Sequence, residues 1–385
     1  MDSINSDRLA EIFASLVAID SVSREEGRVC EWIRRRLDLL GCATSIDAAG
    51  AKVGGNCGNL IARWQGNRQA APLLLSSHMD TVEPGRGIKA LLKDGVFTSA
   101  GDTILGADDK SAIAVVLEVL QCIRDDNLPC GPLELVFTVC EEVGLLGAKN
   151  LDFSRLQATM GYALDTRNPE AIVTRAPAAN RLIFHVHGRA AHAGASPEKG
   201  INAIYLAGQA IARMTLGRID AETTCNIGVI EGGLATNIVP EHVVVRGEAR
   251  SHDPAKLRQV SAAMVGAFEQ VIAENRGDGS DAVPRVAIEV VEDFPRLAID
   301  AEHRMIVTAR KAAANLGMRM DAVASGGGSD ANVFAEHGIA TGVLGTGMEN
   351  VHTVNESVRL SDMLRSARLL LEIIRLHAEQ GEGAL

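Results

Sequence analysis

Apolar residues along the opening third of the chain recur with two alternating periods. Leu9, Ile12, Phe13, Leu16 and Val17 fall at helical spacing. Val29, Trp32, Ile33, Leu37 and Leu40 do so again, with Ser23 and Glu26 spaced as a capping box before that stripe and Gly41 as its stop. APLLLSS at 71–77 is a short continuous apolar run, which predicts a strand covered on both faces. LELVFTVC at 133–140 and MGYAL at 160–164 read the same way. Before them, SAIAVVLEVLQCI at 111–123 sets Ile113, Val116, Leu117 and Leu120 on one helical face. Strands alternating with helices predict an α/β domain with a largely parallel sheet.

Near residue 178 the pattern changes. RLIFHVHG (181–188) is strand-like, INAIYLAGQAIARM (201–214) helical, and strand-like stretches follow around 224–231 and 241–250. A helix begins after Asp253, with Pro254 at its first position, and RVAIEVVED (285–293) closes the segment as a strand. The order β-α-β-β-α-β is that of a ferredoxin-like unit. We therefore expect an inserted α+β domain at 179–293. Residues 1–178 and 294–385 would form the largely parallel-sheet domain, the latter adding helices at 301–316 and 361–379 around the strand TGVLG (341–345).

Composition narrows the function classes. Hydrophobic residues make up 46% and charged residues 23%, ordinary for a globular chain. Lys+Arg 38 against Asp+Glu 49 leaves a net charge of -11, and aromatic residues are only 3%, so no nucleic-acid partner is expected. No apolar run reaches about eighteen residues, so no membrane span is expected either. The stretch MDSINSDRLAEIF has no basic segment leading into an apolar one, and the seven cysteines (30, 42, 57, 122, 130, 140, 225) include no CxxC pair. Reduced thiols and a cytoplasmic location follow as expectations.

The ionisable residues converge once the strands are drawn. His78 and Asp80 follow the strand at 71–77, Glu141 and Glu142 follow that at 133–140, and Asp165 follows that at 160–164. Asp108 and Asp109 lie in the loop LGADDK, and His352 lies just past 341–345. Each is unremarkable alone: a histidine with a capping aspartate, a solvated acidic turn, a helix cap. Together they aim at the carboxyl edge of one sheet, where ligands of open α/β sheets bind. Asp80, Asp108, Glu141, Glu142 and Asp165 have Lys110 as the only nearby cation in sequence. Two like charges about 4 Å apart repel by about 1 kcal/mol in water and about 4 kcal/mol near a protein surface. Divalent cations relieve that repulsion. Imidazoles with carboxylates suit zinc, cobalt or manganese, and a carboxylate shared between two ions fits a dinuclear centre.

HMDTV (78–82), GADDKSAIA (106–114), CEEVGLLGA (140–148), LDT (164–166), GRAAHAGASPEKGINA (188–203), ATNIVP (235–240), EARSHD (248–253) and VHTVNE (351–356) resemble the motifs of one metallopeptidase family. It is the dinuclear zinc family of glutamate carboxypeptidase, aminoacylase and tripeptide aminopeptidase, and the likeness runs from about residue 8 to about 378, closest to the peptidase T-like branch. The resemblance implies two divalent metals, most readily zinc, with Asp108 as the bridge. His78 and Asp165 would complete one ion's ligands, Glu142 and His352 the other's. Glu141 would be the general base acting on a metal-activated water, and Asp80 would orient His78.

His192, in GRAAHAG, matches a residue that donates to the oxyanion and in dimeric relatives reaches the other subunit, which implies a homodimer through the inserted domain. Asn237 and Arg250 match substrate contacts, and Gly327, within Gly326–Asp330, matches a glycine-rich substrate loop. The activity implied is hydrolysis of short peptides with release of the N-terminal residue. Two other outcomes share the same metal core: hydrolysis of N-acyl amino acids, and cleavage from the C-terminus. A non-catalytic binding protein on the same fold would retain metal without hydrolysing anything.

Overall fold

The computed structural model of the chain describes residues 4–276 and 282–381. It divides into two compact units, one formed by residues up to Arg175 and from Leu297 onward, the other by Ala176–Arg296.

The first unit is built on a sheet whose central strands are Leu133–Thr138, Leu73–His78, Met160–Thr166 and Ala340–Gly345, in that spatial order and mutually parallel. Leu60–Trp64 and Ala43–Ile46 extend one side antiparallel, and Ala171–Ala176 pairs antiparallel with Ala340–Gly345 on the other. Every residue of Leu73–His78 and Leu133–Thr138 is buried, as their continuous apolar runs require when both faces are covered. Helix Ala107–Asp125 supplies the centre of the main core. Helix Ser6–Val17 packs on it through Leu9, Ile12, Phe13, Leu16 and Val17, all buried. Ile61, Leu74, Val136, Phe334 and Ile339 form a separate apolar cluster. A small antiparallel sheet joins Met348–Glu349, Ser357–Arg359, Val96–Ser99 and Ala90–Lys93, so that loop 350–356 becomes the tip of a hairpin.

One expected cap is absent. Helix Gly27–Leu40 begins with no side-chain cap from Glu26, and Asn56 Oδ1 accepts the Gly27 amide at 2.8 Å instead. Ser23 and Glu26 are engaged elsewhere, by residues 57 and 114 positions further along the chain.

The second unit is a five-stranded antiparallel sheet with two helices, Ala203–Ala212 and Pro254–Glu274, in the order β-α-β-β-α-β of a ferredoxin-like fold. Its long strands lie side by side as Thr223–Gly232, His242–Ser251, Ala178–His187 and Arg285–Phe294. Leu182, Phe184, Val186, Val243 and Val245 alternate inward to meet the helices, and Phe184 stacks on Phe268 with ring centroids 4.0 Å apart. Asp253 caps the second helix by accepting the amides of Ala255 and Lys256. Among the described residues no helix is long and apolar enough to cross a membrane.

Candidate metal centre

Five pieces of the first unit deliver the centre. His78 ends its parallel strand, and Asp165 lies one residue from the end of Met160–Thr166. Asp108 and Asp109 open helix Ala107–Asp125 with non-helical backbone angles, so the first turn is bent out of register with the rest. Glu141 and Glu142 sit in a turn after Leu133–Thr138, entered through Cys140 at φ 53°, a left-handed conformation that non-glycine residues seldom adopt. That turn closes with the amides of Gly144 and Leu145 donating to the Glu141 carbonyl at 3.0 and 2.7 Å. His352, also left-handed at φ 62°, projects from the hairpin loop.

The side chains meet around Asp108. His78 Nε2 is 3.0 Å from Asp108 Oδ1, and His352 Nε2 is 3.2 Å from Asp108 Oδ2 and 2.9 Å from Glu142 Oε1. One potential ligand atom from each of His78, Asp108 and Asp165 lies within 4.8 Å of the others, and the same holds for Asp108, Glu142 and His352. Asp108 is thus common to two overlapping donor groups, with one oxygen facing each imidazole. His78 Nδ1 lies 2.9 Å from the backbone carbonyl of Asp80. A carbonyl only accepts, so Nδ1 carries a proton, and Nε2 is the atom turned towards Asp108 and the centre.

The Asp80 carboxylate does more than face His78, from whose Nδ1 it is 3.5 Å away. Its Oδ1 accepts the Glu141 amide at 2.9 Å, and its Oδ2 accepts the Glu142 amide at 3.2 Å and the Ser23 hydroxyl at 2.6 Å.

The charge balance fits divalent cations. Burial drives the carboxyls of Glu141 and Asp165 well above the usual carboxylate range, and the neighbouring acids raise them further against a single opposing imidazole, His78. Asp109, wholly buried, is pushed up by the same loss of water, and its Oδ1 has no hydrogen-bond partner among the described residues. Burial also opposes ionisation of Asp108, but hydrogen bonds from His352 and His78 outweigh it and hold that carboxyl well below its ordinary value. His352 is raised to about 10 by its contacts with Asp108 and Glu142. Lys110 offers no relief. Its buried ammonium is committed to the Ile19 carbonyl at 2.7 Å, and burial lowers its pKa to about 7. A cluster of this composition calls for positive charge, and its imidazole and carboxylate donors suit divalent metal ions.

The other sequence-predicted residues have local settings of their own. His192 lies on the short strand Ala191–His192 of the second unit, and its Nδ1 accepts the amides of Gly194 and Ala195, each at 3.1 Å. Its ring proton therefore sits on Nε2. Asn237 is exposed and its carbonyl accepts the Ala193 amide at 2.9 Å. Arg250 pairs with Glu248 at 2.9 Å, and its Nε is buried without a partner among the described residues. Gly327 lies in the first unit, its amide donating to Ser325 Oγ. Asp330, the first residue of helix Asp330–Glu336 that follows, is buried, accepts the Thr138 hydroxyl at 2.5 Å and bears on the charge of Glu141.

Sequence reasoning missed three supports. Ser23 and Glu26 matched a helix-start pattern and so were absorbed by it. Glu356 accepts the amides of Leu105 and Gly106 on one oxygen, both at 2.8 Å, and that of Asp108 on the other at 3.0 Å. Its only signal was its place in VHTVNE, four residues beyond His352.

Comparison with known proteins places the chain in a family. The sequence profile described as Peptidase family M20/M25/M40 matches residues 74–376. YqjE of Bacillus subtilis strain 168, an uncharacterized protein, is 40% identical over 372 residues, 96% of this chain and 98% of its own. The crystal structure of aminopeptidase PepT from Bacillus cereus superposes with a TM-score of 0.87 at 40% identity, covering 98% of this chain and 100% of its own. That of a tripeptidase from Staphylococcus aureus gives 0.92 at 37% identity, with coverage of 98% and 100%.

Proposed function

The chain belongs to peptidase family M20/M25/M40, as a metallopeptidase, and from that premise we propose that it releases the N-terminal residue of short peptides, tripeptides above all. The observation that carries the reading is the carboxylate of Asp108, divided between two imidazoles, with Glu141 buried under the influence of His78, Asp165 and Glu142. His78, Asp108 and Asp165 would hold one divalent cation, and Asp108, Glu142 and His352 the other. Zinc suits these donors best, with cobalt or manganese as replacements. Bound there, such cations supply Lewis acidity, which polarises an amide carbonyl and makes water easier to deprotonate.

The protein's own groups do the rest. Glu141 accepts the proton of the attacking water and passes it to the departing amine, a task suited to a carboxylate whose pKa burial has raised. Asp80 holds the backbone of Glu141 and Glu142 in place. His192, with its proton on Nε2, is the donor to the oxyanion, working across a homodimer. Arg250 takes the peptide's terminal carboxylate, while Asn237 and Gly327 contact its backbone.

A substrate pair tests the specificity: a free-amine tripeptide should turn over far faster than its N-acetyl form. Preference for the acetylated peptide would replace this reading with an acylase. Chelation should abolish both activities, and added zinc should restore them. His192→Ala should lower kcat without loss of metal, and mixing it with Glu141→Ala subunits should recover activity if His192 serves the other subunit.

A further inference from the structure

The segment Ile19–Glu26 runs beneath two of the loops that form the centre and is bonded to both. Lys110 Nζ donates to the Ile19 carbonyl, and the Ser21 hydroxyl donates to the Met79 carbonyl at 2.9 Å. The Thr81 amide donates to the Ser21 carbonyl at 2.9 Å, and Val22 forms a parallel bridge with Thr81. These bonds lock the segment to residues 79–81. The next two side chains then reach the acidic turn. Ser23 Oγ donates to Asp80 Oδ2 at 2.6 Å, and Asp80 in turn accepts the amides of Glu141 and Glu142. Glu26 Oε1 accepts the Cys140 amide at 2.9 Å directly.

We propose that Ser23 and Glu26 are positioning residues for Glu141, fixing the Cys140–Glu142 backbone from below, Ser23 through the Asp80 carboxylate and Glu26 by direct contact. Three consecutive amides, those of Cys140, Glu141 and Glu142, are held by this strap and Asp80. Asp80 has two oxygens and three donors, so each bond limits the freedom of the others. Without the Ser23 hydroxyl the carboxylate can rotate away from one amide. The Glu141 side chain then wanders from the point where it must meet the water's proton. Small displacements of a reacting group are costly because catalysis depends on its preset geometry. A threonine at 23 keeps the donor and an alanine removes it. The inference rests on the reading of Glu141 as the proton carrier.

The test uses the full-length, metal-reconstituted protein and two readouts. In Ser23→Ala, hydrogen exchange in fragments covering Cys140–Glu142 should accelerate about tenfold or more, with exchange in helix Ala107–Asp125 unchanged. The same variant should lose about ten- to hundredfold in kcat on a tripeptide at near-constant KM and with full metal content. Ser23→Thr should restore both readouts. Adding Ser23→Ala to Asp80→Asn should cost little beyond Asp80→Asn alone, since the two act in series. Exchange that rises uniformly, or that does not rise at the turn, would overturn the proposal, as would additive losses in the double variant. The exchange readout needs no substrate, so it judges the strap by itself, while turnover of Glu141→Gln judges the assignment of the base.

Discussion

Asp108 and Glu141 differ in what their loss should remove, because one carboxylate belongs to both donor groups and the other to neither. Asp108→Ala should weaken both metals together, read by metal analysis after dialysis against a weak chelator. Retention of one ion at full affinity would deny the shared role. Glu141→Gln keeps the size of the side chain and lowers no ligand count. Both ions should stay while kcat falls by about 10²- to 10⁴-fold, the usual worth of a placed proton carrier. Loss of metal from that variant would mean that Glu141 and Glu142 have been interchanged. At this scale the apolar runs placed His78, Glu142 and Asp165 at or just past strand ends, where the structure also has them. What the sequence hid were residues whose partners lie far along the chain. Ser23 and Asp80 are 57 positions apart, and Glu356 and Leu105 are 251 apart, and no local pattern marks such bonds.

Two elements carry the centre beyond their ligands. The hairpin from Met348 to Arg359 presents His352 at its tip and then returns Glu356 to the loop of Asp108, so one element bonds both ends of the same ligand pair. Glu356→Gln must offer an amide nitrogen to at least one backbone donor. Losing a buried charge-assisted bond of this kind costs about 1.5–3 kcal/mol, so the thermal midpoint and both metal affinities should drop together. An unchanged midpoint with unchanged metal binding would show that the loop is fixed by other contacts. The acidic turn depends in the same way on Gly147. A Cβ there would lie 2.1 Å from the Val139 carbonyl oxygen and 2.6 Å from Asn59 Oδ1, both part of the turn's own support. Gly147→Ala should destabilise the fold by about 1–3 kcal/mol, measured by denaturant midpoint, and carry activity down with it. Strands were readable because full burial writes an unbroken apolar run. The start of helix Ala107–Asp125 was not, because Asp108 and Asp109 leave helical geometry for reasons of the centre rather than of local propensity.

For the whole molecule, the centre turns pH into stability, and the sign can be worked out group by group. Asp109, Glu141 and Asp165 have folded pKa values above their unfolded ones, so what they contribute is present at low pH and is lost as pH rises through the folded values. His78 and His352 are raised as well. Their contribution is complete below about 6.5 and disappears as pH climbs towards the folded value, about 10 for His352. Asp108 has the opposite sign, but its change lies below the carboxylate range. Lys110 also opposes, since burial lowers it to about 7, but its Nζ donates to the Ile19 carbonyl and not to a carboxylate of the centre. Metal must displace the protons that steady the empty cluster, so binding strengthens with pH. The gap in Tm between zinc-loaded and chelator-stripped protein should therefore widen steadily from about pH 6 to about pH 9, as followed by calorimetry in buffers of matched ionic strength. A gap that stays constant or narrows would mean that the cluster is neutralised by something other than cations. The shared position of Asp108 would then need another explanation.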